Sequence, residues 1–71
     1  MTTRLYICEY GREGAICRLR IVAGYDATKR ILARMVRRCA VKRVDTGAIV
    51  GGNERDAGGC WRWHLDAEAA K

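Results

Sequence analysis

Apolar and polar positions alternate from Thr3 to Tyr10, and Leu5, Tyr6, Ile7, Cys8 and Tyr10 are all good strand formers. Gly11-Arg12-Glu13-Gly14 follows as a turn, and Ala15 to Val22 reads as a second strand. Two glycines bracketing the reversal predict a hairpin centred on Arg12-Glu13. That register pairs Tyr10 with Ala15, Cys8 with Cys17 and Tyr6 with Leu19. Tyr6, Cys8, Tyr10, Ala15, Cys17, Leu19 and Ile21 then share one face, the expected core face. Ile7, Glu9, Ile16, Arg18 and Arg20 form a mixed, partly exposed face.

Ala23-Gly24-Tyr25 ends the strand, and the period changes from two to near four. Asp26 is a suitable N-cap for a helix from Ala27 to about Cys39. Ile31, Leu32, Met35, Val36 and Cys39 fall on its inner side. Val41 to Asp45 reads as a third strand, Asp45-Thr46-Gly47 as a turn and Ala48 to Gly51 as a fourth strand. Gly52 to Gly59 is a polar loop. Cys60 to Leu65 is a last strand, with Trp61, Trp63 and Leu65 on one face and Cys60, Arg62 and His64 on the other. The expected fold is α+β: a single antiparallel sheet with one basic amphipathic helix packed on one face, in the order β-β-α-β-β-β. Residues 1–65 make one domain, and residues 66–71 read as a polar tail or a short helical turn.

Length and charge sharpen this picture. A 71-residue chain has room for one small core. Such a chain buries only about 60% of its unfolded surface, so self-association, including a homodimer, or docking on a partner would help it. The net charge is +6, which directs attention to anionic partners: nucleic acid, an acidic protein surface or lipid headgroups. Half of the 14 Lys and Arg lie between Lys29 and Arg43 with no acid among them: Lys29, Arg30, Arg34, Arg37, Arg38, Lys42 and Arg43. On a helix, Arg30, Arg34, Arg37 and Arg38 would form one stripe, a positive ridge for partner binding. No Glu or Asp lies within the segment to give the usual i,i+4 partners, which weakens the reading of a merely solvated face. Arg18, Arg20 and Arg62 on the strands are secondary candidates. No apolar run approaches the ~20 residues of a spanning helix, and the N-terminal residues lack signal-peptide character. No membrane partner is expected, and the location read from the chain is cytoplasmic.

Other chemistry finds less support. The four cysteines, Cys8, Cys17, Cys39 and Cys60, contain no C-x-x-C pair, and Cys60 to His64 on a strand is not a zinc knuckle, so no metal is expected. Cys8 opposite Cys17 has the geometry to bridge, but a cytosolic setting favours two reduced core thiols. Trp61 and Trp63 share a face, where they serve either core packing or, with Arg nearby, base stacking; packing is the commoner fate. His64 has no nucleophile or carboxylate placed with it, and no glycine motif cradles a phosphate. The chain therefore reads as a binding protein, not an enzyme, without cofactor.

A strand with Tyr6-Ile7-Cys8, a helix with Ala27-Thr28-Lys29-Arg30-Ile31, a Val41-Lys42-Arg43-Val44 strand and a Gly-Gly loop running into a Trp strand follow in that order. This resembles the small β-β-α-β-β-β proteins among phage-encoded inhibitors of type I CRISPR-Cas, the anti-CRISPR proteins. The resemblance covers most of the chain and rests on topology and these few residues. It implies a viral, non-enzymatic inhibitor in the cytoplasm of the bacterial host, docking on CRISPR-Cas effector subunits and blocking target DNA binding. Lys29, Arg30, Arg34, Arg37 and Arg38 would then meet acidic Cas surface or DNA phosphate. Two alternatives stay open: a small basic nucleic-acid-binding module holding DNA or RNA phosphates, and a basic adaptor on an acidic host protein.

Overall fold

The computed structural model describes the backbone of residues 3–11 and 14–71 and the side chains of residues 3–10 and 22–71. Five strands and two helices follow in the order β1 (Leu5–Gly11), β2 (Gly14–Ala23), α1 (Tyr25–Arg34), β3 (Cys39–Arg43), β4 (Ile49–Arg55), β5 (Trp61–Leu65) and α2 (Ala67–Ala70). The strands form one sheet in the spatial order β2-β1-β3-β4-β5, and every neighbouring pair is antiparallel. β2 and β3 flank β1 and both oppose it, so the chain must pass β1 between them. α1 makes that crossing. The expected single antiparallel sheet with a helix is present; its details differ in four ways.

First, the hairpin register is shifted. Tyr10 pairs with Cys17, Cys8 with Leu19 and Tyr6 with Val22, because irregularities between Tyr10 and Gly11 and between Tyr6 and Cys8 place extra residues on β2. The central Arg12-Glu13 of the expected turn lies outside the described residues. Cys8 is disulfide-bonded, which corrects the expectation of a reduced thiol there. Among the described cysteines, Cys39 and Cys60 are free.

Second, the core uses the other face of β1. Leu5 and Ile7 are buried in a cluster with Leu32, Cys39, Val41, Val50 and Ala70, and Tyr25, Ile31, Met35, Leu65 and Ala69 pack against it. Tyr6 and Tyr10 stay half-buried. Ile7 had been expected on the mixed face. β1 is apolar on both sides, so alternation alone does not say which side the crossing helix covers.

Third, α1 is shorter than the expected 27–39. It begins after Gly24, which supplies no side-chain cap, and Met35 leaves it with extended backbone. Thr28 and Leu32 are buried, while its exposed positions mix Lys29, Arg30 and Arg34 with Asp26, Ala27 and Ala33. Arg37 and Arg38 lie beyond its end, so the four arginines do not form one helical stripe.

Fourth, β4 runs four residues further than expected, through Gly52, Asn53, Glu54 and Arg55, where the sequence reads as a loop. A Cβ on Gly51 would lie 2.5 Å from the His64 carbonyl oxygen, and one on Gly52 would lie 2.6 Å from that of Cys39. These glycines mark close backbone approach within the sheet rather than its end. Residues 66–71 take the helical alternative. Asp66 caps α2 by accepting from the Glu68 and Ala69 N–H groups, and Ala70 closes the core at 0% exposure.

Candidate nucleic-acid interface

β-Strand alternation places Tyr6, Cys8 and Tyr10 on the side of β1 opposite Leu5 and Ile7. The neighbouring strands extend that side. Tyr6 pairs with Lys42 and Cys8 with Ala40; Ala40 pairs with Gly52, and Gly52 with His64. Lys42 is half-buried and His64 exposed. This strip therefore carries aromatic, basic and imidazole groups around a glycine floor.

At the end of the strip the link from α1 to β3 is pinned in place. Nothing in Met35-Val36-Arg37-Arg38 breaks a helix locally. Instead, buried Asn53 on β4 donates from its side-chain nitrogen to the Met35 carbonyl at 2.8 Å and the Arg37 carbonyl at 3.1 Å. The Tyr10 N–H donates to the Arg38 carbonyl at 3.2 Å. With its backbone so fixed, Arg38 lays its guanidinium over the Tyr10 ring, 5.1 Å from the centroid. Arg55 and Trp61 are cross-strand partners, and the Arg55 guanidinium lies 5.4 Å from the Trp61 ring centroid.

Val36, Arg38, Glu54, Arg55 and Trp61 line a recess of about 920 Å³. An adjoining recess of about 190 Å³ shares Arg38 and Glu54 with it and continues to Tyr10, Gly52 and His64. The two together form a track from the end of the sheet onto its Tyr–Lys–His side. Trp61 is only half-buried and Trp63 is 38% exposed. Of the two fates open to the tryptophans, core packing is not the one observed: neither belongs to the buried cluster or packs against it, and Leu65 is the described β5 residue that does.

Of the predicted basic residues, Lys42 is half-buried on β3, and the others divide into three groups. Lys29, Arg30, Arg34, Arg37 and Arg38 are exposed, and among the described residues no carboxylate pairs with them. Arg43 is committed to the fold: it forms a two-pronged pair with Asp45, at 2.9 and 2.7 Å, and donates to the Ala69 carbonyl of α2 at 3.0 Å. That bonding holds the Asp45 carboxyl below the ordinary carboxylate range. Arg62 pairs with Asp56 at 2.7 Å, so neither Arg43 nor Arg62 is a free cation. The side chains of Arg18 and Arg20 lie outside the described residues.

The sequence-based reading missed Asn53, Arg55 and Tyr10 as parts of one site. Adjacent glycines inside a strand-like run were the available signal, since they mark a strand whose neighbour comes unusually close.

Asp56 organises the loop beside the recess. Its carboxylate accepts from the Gly58 and Cys60 N–H groups as well as from Arg62, and the bond from Arg62 is the chief reason its pKa is lowered. Cys39 stands apart from this polar chemistry: burial pushes its thiol up to about 11. Among the described residues, no three His, Cys, Asp or Glu side chains gather where they could hold a metal, and no helix is long and apolar enough to cross a membrane. Comparison of the chain with protein-family models, curated proteins and solved structures finds no match in any of the three.

Proposed function

We infer that this chain is a non-enzymatic nucleic-acid-binding protein that works through the basic segment 29–42 and the adjoining aromatic track. One observation carries the reading: Arg38, unpaired with any described carboxylate, sits on Tyr10 and lines both recesses. Exposed guanidinium groups supply phosphate contacts, and half-exposed rings supply surfaces for bases. The test is fluorescence anisotropy of a labelled 20-nucleotide strand over a range of salt. Binding is expected to weaken linearly with log salt, with a slope of about −0.7 per phosphate contact. Replacing Arg37 and Arg38 together with Gln lowers that slope by about one to two contacts. Salt-independent binding, or none at low salt, defeats the reading.

The inhibitor role implied by the anti-CRISPR resemblance is the second reading. Lys29, Arg30 and Arg34 favour it, because they are exposed on α1 and lie outside the two recesses that Arg38 lines. A pull-down of the tagged chain from a lysate containing type I effectors, with and without nuclease, separates the two. A Cas complex that survives nuclease supports inhibition by protein docking. Nucleic acid alone, lost on nuclease treatment, supports the first reading.

A further inference from the structure

Phosphate binding requires only cations, yet this surface pairs its arginines with aromatic rings. Arg38 covers Tyr10 and Arg55 covers Trp61, and both arginines line the same recess. We propose that this recess is a base-stacking site selective for single-stranded nucleic acid; the proposal rests on the nucleic-acid reading above and names the form of nucleic acid bound. A guanidinium and an indole each offer a flat face to a base, and every base has a matching face, so such a site tolerates sequence. A duplex hides those faces in its own stack, whereas a single strand presents them.

Glu54 lines the same recess. Its carboxylate repels phosphate but accepts hydrogen bonds from the amino groups of base edges. The recess therefore receives bases, and the strand's phosphates are left to exposed cations outside it such as Arg37. Val36 adds apolar contact, being 68% exposed with no core to fill. Arg55 and Trp61 stand on paired strands and Arg38 is held through its own carbonyl. The stacking groups are thus positioned before a ligand arrives, which reduces the ordering cost of binding.

The test uses the full chain carrying Trp63→Phe, so that Trp61 is its only tryptophan, titrated at low salt with a mixed-sequence 20-nucleotide strand and with the duplex of the same sequence. Single strand is expected to quench Trp61 emission and to bind at least tenfold more tightly than duplex. In the anisotropy assay, Trp61→Leu should weaken single-strand binding about tenfold with an unchanged salt slope. Arg55→Gln alters only an exposed side chain and provides the same comparison should Trp61→Leu fold poorly; a severalfold loss of single-strand affinity is expected. If single strand binds with unaltered Trp61 emission and Arg55→Gln binds as wild type, the stacking site is overturned while the nucleic-acid reading stands. Equal affinity for duplex and single strand overturns it too. If neither form binds, both proposals fall.

Discussion

Asn53 holds the Met35 carbonyl at 2.8 Å, and that contact across eighteen residues decides where α1 stops. The same nitrogen also donates to the Arg37 carbonyl, so two carbonyls of the link that follows α1 share one buried donor. With its nitrogen so placed, Oδ1 of Asn53 has no hydrogen-bond partner among the described residues. The arrangement accepts one unsatisfied atom in order to satisfy two carbonyls, and it delivers Arg38 to Tyr10.

Asn53→Ala should therefore destabilise the fold by about 1–3 kcal/mol, the cost of leaving two part-buried carbonyls without their donor less the relief of the orphaned oxygen. Asn53→Asp should be worse, since a carboxylate would face both carbonyls. Urea unfolding of the two variants checks the order. A wild-type midpoint for Asn53→Asp would show that the helix end does not depend on this amide.

Gly52→Ala should cost about 1–3 kcal/mol, because the new methyl meets the Cys39 carbonyl oxygen in the middle of the β3–β4 pair. Gly58→Ala is the control. Its methyl would meet only the Asp56 carboxylate oxygen, at 3.4 Å, and its melting temperature should stay near wild type.

Acid should weaken the fold through Asp56 and Asp45. Both carboxyls are held below their ordinary value by their arginine partners, so the folded state favours their charged form. The stability they contribute is present above the unfolded pKa of about 3.9 and is lost as pH falls through the lower folded values. Melting temperatures measured from pH 6 to pH 2 should fall less steeply for Asp56→Asn than for wild type. Parallel curves would rule out the Asp56 contribution.

The two thiols that are free among the described residues should react very differently. Cys60 is exposed and Cys39 is 5% exposed, with its pKa raised to about 11. Iodoacetamide at pH 8 should modify Cys60 and spare Cys39 until denaturant is added, as read by peptide mass spectrometry. Because the folded pKa of Cys39 lies above its unfolded value, its contribution is complete below about pH 9 and disappears as pH rises towards 11. Cys39→Ala should flatten that part of the alkaline stability curve.

Strand-like alternation before Gly11 and after Gly14, the change of period after Gly24 and the Trp61–Leu65 run were legible in the chain because each is a local property. They were enough to determine a small α+β fold with a single antiparallel sheet and a concentration of positive charge between residues 29 and 43. Local pattern could not tell which side of β1 is covered, since Leu5 and Ile7 on one side and Tyr6 and Cys8 on the other are all suited to burial. The crossing of α1 between β2 and β3 decided that. Nor could helix propensity end α1 at Arg34, because Met35, Arg37 and Arg38 after it are good helix formers. Asn53 decided it from the far strand, moving Arg37 and Arg38 off the expected ridge. Sheet pairing brought Arg55 to Trp61, the Ala69 carbonyl of α2 fixed Arg43, and the Tyr10 N–H bound the Arg38 carbonyl. Those relationships depend on contacts between separated segments, and a one-dimensional pattern does not encode them.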